Sequence, residues 1–183
     1  MITLFRNIFF NNGKKFKIMS AKNNTAFVLG TWFGSGRAPV ASGTFGSLAA
    51  LPFAWAIMFF GGRPYLLAAA VIVYFIGVWS ADVIMRETNT EDPGQIVIDE
   101  VVGQWLALLA TPLDPFGYAI GFLLFRFFDI LKPWPACWAD SKLHSATGVM
   151  LDDVFAGLYA LICTVLINHF FMPPDGWLSL IAG

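Results

Sequence analysis

Charge is what this chain has least of. Of its 183 residues only 13% are Asp, Glu, Lys or Arg, while 57% are hydrophobic and the mean hydropathy is +0.68. Soluble domains carry about 25% charged residues, so this composition points away from a soluble helical bundle and towards a membrane protein. Cysteine is scarce as well. Cys137 and Cys163 form no Cys-x-x-Cys pair and suggest no disulfide framework. The opening stretch lacks a long apolar run followed by a small-residue cleavage site, so no cleavable signal peptide is expected. Residues 1–24 read instead as a basic, aromatic leader, either an amphipathic segment on the bilayer surface or a disordered one. A net charge of −1 gives no reason to expect nucleic acid as a partner. Several phosphate-handling signatures are missing too. No Gly-Lys-Ser/Thr ends a glycine-rich loop, no Cys is followed five residues later by Arg, and no Asp-x-Asp-x-Thr start is present.

What is there is a set of five apolar runs: Phe45–Phe60, Pro64–Ala81, Ile96–Leu113, Pro115–Leu131 and Val154–Met172. A spanning helix needs about 20 apolar residues, and these runs are at or just under that length. The expected fold is therefore all-α. It is a polytopic membrane bundle of about five short transmembrane or re-entrant helices, forming one domain over residues 25–183. The connections Gly61–Pro64 and Thr111–Pro115 are tight and rich in breakers, whereas residues 82–95 and 132–150 are longer and polar. In an up-and-down chain the two kinds fall on opposite faces. Ten of the 11 Lys and Arg residues lie on or near the long-loop face, and only Arg63 on the other. Such a bias predicts that face to be cytoplasmic, with the C-terminal tail, including Asp175 and Trp177, outside an inner membrane.

The acids follow the bases. Asp99 and Glu100 enter the third run, Asp129 leaves the fourth, and Asp152 and Asp153 enter the fifth, all on the long-loop face. Carboxylates at membrane depth are costly and tend to be paired or coordinating. Oxygen-only donors of this kind suit Mg²⁺. A plainer alternative is that Asp99 and Asp152 cap helix starts and that Asp129 pairs with Arg126 one turn back. Gly103 and Gly157 lie one turn beyond Asp99 and Asp153, where small residues let helices approach.

Ahead of the first run stands Gly34–Ser47, rich in Gly, Ser and Thr and carrying Arg37. Hydroxyls and free N–H groups at a helix start bind phosphate, and an arginine adds a forked donor. Lys132, three residues past Asp129, suits either a phosphate or lipid headgroups. His144 is a lone loop histidine and is left outside the expected site, and His169 is taken as structural.

Four stretches in this order, GSGRAPVASGTFGS (34–47), DPGQIVIDEVVGQW (92–105), FRFFDILKPWP (125–135) and GVMLDDVFAGLYA (148–160), resemble the phosphatidylglycerophosphatase A family. The resemblance covers roughly Gly30 to Ala160. It implies a bacterial inner-membrane enzyme that removes the terminal phosphate of phosphatidylglycerophosphate, a phospholipid substrate, and depends on Mg²⁺. It places Asp99, Glu100, Asp129, Asp152 and Asp153 in the active site, with Asp99, Glu100, Asp129 and Asp153 as metal ligands. Arg37, Ser42, Gly43, Thr44 and Lys132 become candidates on the phosphate side. Ser42 stands where the family commonly has Pro. Attack by water or through an aspartyl-phosphate are both open at this point. A small cation carrier or channel is the alternative from a different class, and its acids would be expected to spread through the bilayer depth.

Overall fold

The computed structural model describes residues 21–143 and 145–171. These are helical throughout, with no strand among the described residues. The order is α1 (Ala21–Gly30), a 3-10 turn (Ser35–Arg37), α2 (Ser42–Thr88), α3 (Ile98–Leu108), α4 (Pro115–Leu131), α5 (Ala136–Lys142) and α6 (Ala146–Phe171). His144, the first 20 residues and the tail with Asp175 and Trp177 lie outside the described residues. Helix α1 begins at Ala21, inside the stretch expected to be leader, and Asn23 Nδ2 donates to Glu87 Oε1 at 2.7 Å.

Helix α2 is two arms. Gly62 breaks it with φ 72° and ψ −170°, a backbone that glycine adopts without a Cβ penalty. The arms run in opposite directions. Gly46, near the start of the first, packs on Val97, whose N–H donates to the carbonyl of Gly30 at 2.9 Å. Gly30 in turn lies on Ser80 and Ile84, near the end of the second. The first two apolar runs of the sequence are thus the two arms of a hairpin, with the expected tight Gly-Gly connection at its tip.

The third run forms a shorter helix than expected. Helix α3 has 11 residues, about 16 Å at 1.5 Å per residue, against a hydrocarbon core of about 30 Å. It is buried nearly all round, from Ile98 to Leu108, as a helix apolar on every side must be. The other helices pack around it. Trp105 Nε1 donates to the carbonyl of Ala50 at 3.0 Å and ties α3 to the first arm of α2. Among the described residues two helices, α2 and α6, are long and apolar enough to cross a membrane, and with the two arms of α2 they hold three of the five expected segments. Helix α4 starts at a well-formed cap. The Asp114 carboxylate accepts from the N–H groups of Phe116 (2.9 Å) and Gly117 (2.8 Å), with Pro115 at the first helical position. The outer surface is apolar: Phe60, Ile72, Phe75, Leu123, Phe127 and Phe170 are all more than half exposed.

Candidate active site

Three helix ends meet at one end of the bundle. The starts of α2 and α3 and the last turn of α4 surround the second turn of α6, and a cleft of about 230 Å³ opens between them. Asp99, Glu100, Asp129, Asp152 and Asp153 all line it, together with Ser42 and Lys132. One carboxylate oxygen from each of Asp99, Glu100 and Asp153 lies within 4.8 Å of the others. Asp99 and Asp153 are buried, and Glu100 Oε2 is buried with no hydrogen-bond partner. A buried carboxylate oxygen without a donor is expensive, and these three residues are the ones that could hold a cation.

The close approach has a backbone cause. Gly157 of α6 sits directly on the backbone of Gly103 of α3, and Gly103 in turn meets the carbonyl of Asp153 and the ring of Phe125. Asp99 and Asp153 each stand four residues before their glycine, one turn nearer the cleft. Helices in contact at the glycines therefore hold the carboxylates together. Gly43, at the start of α2, packs on Glu100 Oε1 beside Arg126 Nη1, so a larger residue there would displace these side-chain ends.

The helix-cap alternative describes these acids only in part: Asp99 and Glu100 do stand in the first turn of α3, where the helix dipole favours acids. The N-cap position of α3 is Val97, with no side-chain cap, and Asp99 is the second helical residue. Its Oδ1 accepts from the neighbouring N–H of Glu100, at 3.1 Å. Helix α6 begins at Ala146, so Asp152 and Asp153 lie in its second turn, too far along to cap it. Asp129 does pair with Arg126, as the i,i+3 spacing allows. Asp152 pairs with Lys132, Nζ to Oδ2 at 2.7 Å. Lys132 closes α4 with a left-handed backbone, φ 44°, in the turn that carries the chain away from α4.

The sequence candidates thus fall into groups. Asp99, Glu100 and Asp153 form the tight set. Asp129 and Asp152 stand at its edge, each held by a cation. Ser42 and Lys132 line the cleft, and Gly43 packs against Glu100. Arg37 and Thr44 are not among the lining residues. Two acids not singled out from the sequence, Glu91 and Asp92, also line the cleft. They sit just before Pro93-Gly94, and the hydroxyl of Ser42 donates to the carbonyl of Gly94 at 2.7 Å, pinning that loop to the start of α2. A run of two acids before Pro-Gly reads as an ordinary solvated turn, and only the tertiary contact brings it to the rim.

Comparison with known proteins bears on this arrangement. The profile of the family described as Phosphatidylglycerophosphatase A matches residues 28–168. A protein named phosphatidylglycerophosphatase A from Escherichia coli K12 is 38% identical over 150 residues, covering 80% of this chain and 86% of its own. One of the same name from Haemophilus influenzae is 35% identical over 150 residues, covering 81% and 92%. A Bacteroides thetaiotaomicron protein named "Putative phosphatidylinositol-3-phosphatase" is 40% identical over 142 residues, covering 74% and 88%. No solved structure matches the chain.

Proposed function

The chain belongs to the phosphatidylglycerophosphatase A family, and from that premise we propose that it hydrolyses the terminal phosphate of phosphatidylglycerophosphate to give phosphatidylglycerol. The observation that carries the reading is the set of three carboxylates within 4.8 Å of one another, in a cleft also lined by Lys132 and Ser42. Oxygen donors at this spacing, one of them buried without a donor of its own, fit Mg²⁺. Asp99, Glu100 and Asp153 would hold it, with Asp129 beside them. When bound, the ion supplies Lewis-acid polarisation of the phosphoryl oxygens.

The chain's own groups do the rest. Lys132 is anchored by Asp152 at the cleft wall and brings a positive charge to the phosphate. The Ser42 hydroxyl is spent on Gly94 and fixes the rim. Arg126 holds Asp129 in place, so its carboxylate is aimed at the cleft and can take a proton from attacking water. The P–O bond to the glycerol breaks, and the proton taken up by Asp129 passes to the departing oxygen, which leaves as the alcohol. Positioning and charge account for most of the catalysis in phosphoryl transfer, which suits a site made almost wholly of fixed charges.

The same reading sets the membrane arrangement. The hairpin arms of α2 and helix α6 cross the bilayer, α4 crosses beside them, and α3 ends within it. The cleft end faces the cytoplasm, as ten of the 11 basic residues favour. The test is phosphate release from phosphatidylglycerophosphate in mixed micelles, with Mg²⁺ and with EDTA. Asp99→Asn and Asp153→Asn should each lower kcat by at least about 100-fold while the protein still folds. Release that ignores EDTA, or two variants of full activity, would refute the assignment. Phosphatidylinositol 3-phosphate belongs in the same assay, because one relative carries that name.

A further inference from the structure

The middle of α3 carries a polar side chain that the reaction above does not use. Gln104 is fully buried, and neither its Oε1 nor its Nε2 has a hydrogen-bond partner. A carboxamide left in that state is costly, and an apolar side chain at the same position would bear no such cost.

Its place on the helix says what it serves. Glu100, Gln104 and Leu108 stand four residues apart and form one stripe of α3. The stripe faces α4 at both ends. Glu100 lies beside Arg126 where both meet Gly43, and Leu108 lies on Gly121. Gln104 is therefore one turn, about 6 Å, beneath Glu100 on the same side. Helical side chains lean towards the N-terminal end of their helix. For α3 that end is the cleft, which Asp99 and Glu100 line. The carboxamide thus leans towards the Glu100 carboxylate, whose Oε2 is itself buried without a donor. Other donors around it are committed elsewhere. Lys132 pairs with Asp152, and Ser42 donates to the carbonyl of Gly94. Buried Ser47, one turn below Gly43, donates to the Gly43 carbonyl at 2.8 Å.

We infer that Gln104 is a positioning residue for Glu100: its Nε2 donates to Glu100 Oε2 when the cleft holds a divalent cation. A carboxylate held at one oxygen cannot turn, so the direction of the other is fixed. Outer donors of this kind orient ligating carboxylates. The inference rests on the cation reading of the cleft given above and adds to it how one of the three ligands is aimed. The oxygen of the same amide has a match as well, because Arg126 Nε is buried without an acceptor. An amide set between Arg126 and Glu100 satisfies four orphaned atoms at once.

The experiment titrates Mn²⁺, a spectroscopic probe for Mg²⁺, into the full-length protein in detergent without substrate, and reads the free ion by electron paramagnetic resonance. Gln104→Met keeps the length of the side chain and loses both polar atoms. It should raise the Kd for Mn²⁺ about 10- to 100-fold. Helicity should hold, and the metal-free melting temperature should stay or rise, since an apolar group of similar shape replaces an orphaned amide. In a Glu100→Ala background the same substitution should cause little further loss, because its effect passes through Glu100. Unchanged Mn²⁺ affinity in Gln104→Met overturns the inference and leaves Glu100 to Arg126. An equal further loss in the Glu100→Ala background overturns it too, since Gln104 would then act through packing alone. If Gln104→Met does not fold, Gln104→Asn, which withdraws the amide by one methylene, gives the reading: weakened binding supports the inference and wild-type affinity overturns it. Failure of the cation reading looks different. The wild-type protein would then show no Mn²⁺ binding that Asp153→Asn weakens, and the inference would fall with it.

Discussion

Replacing Gly157 by alanine should disable the site without touching a carboxylate. The added Cβ would meet the carbonyl oxygen of Gly103, with Gly103 Cα at 2.9 Å and its carbonyl carbon at 3.0 Å. All three are backbone atoms of a buried helix, so no side chain can swing aside. Ordinary Cβ contacts begin near 3.4 Å, so α3 and α6 must part by about 1 Å at this level. One turn above, Asp153 moves with α6 while Asp99 and Glu100 stay with α3, and the 4.8 Å grouping opens. A misplacement of about 1 Å can cost about 100-fold in rate, equivalent to about 2.7 kcal/mol of transition-state stabilisation. Stability should change less than activity, because alanine gains about 1 kcal/mol of helix propensity over glycine against the strain of separation. The assay pairs kcat/KM for phosphate release with circular dichroism and a thermal melt in detergent. Leu158→Ala, on the neighbouring exposed position, serves as the control. If Gly157→Ala keeps more than about half of wild-type activity with its helicity intact, the glycine contact does not set the carboxylate spacing and the argument fails.

Lys132→Met should leave the Asp152 carboxylate without its 2.7 Å ion pair. With the lysine about one-third exposed, the stability cost is about 2 kcal/mol, below that of a fully buried pair. Adding Asp152→Asn should recover most of the melting temperature but not the activity; recovery of both would remove Lys132 from the phosphate side. Trp105→Phe removes the hydrogen bond to Ala50 and should lower stability by about 1 kcal/mol, read as a shifted denaturation midpoint with little change in kcat. Cys137 is exposed near the cleft end. A thiol reagent that cannot cross membranes should therefore spare it in intact cells and label it once the membrane is opened; labelling in intact cells would reverse the orientation proposed above.

The outline of the site was legible in one dimension because its acids break apolar runs. Asp99-Glu100, Asp129 and Asp152-Asp153 each interrupt a stretch where charge is costly, and each faces the same end once the connections are counted. Gly103 and Gly157 were legible for a related reason, since small residues at one-turn spacing from an acid mark a close helix approach. Helix length was less legible. The run from Ile96 to Leu113 is apolar enough to suggest a span, yet its helix stops at Leu108, because a helix enclosed by its neighbours on every side is apolar whether or not it meets lipid.

By itself the sequence determined the apolar runs, the tight Gly61–Pro64 connection, the acids that interrupt those runs and the family, since all of these depend on residue type and order along the chain. The tertiary structure alone decided which acids cluster. It drew Asp99, Glu100 and Asp153 together through a backbone contact between two glycines 54 positions apart, gave Asp152 to Lys132, and folded Glu91 and Asp92 to the rim through Ser42. Those outcomes depend on distances between helices, and interhelical distance is set by packing in three dimensions, which no local pattern of residues encodes.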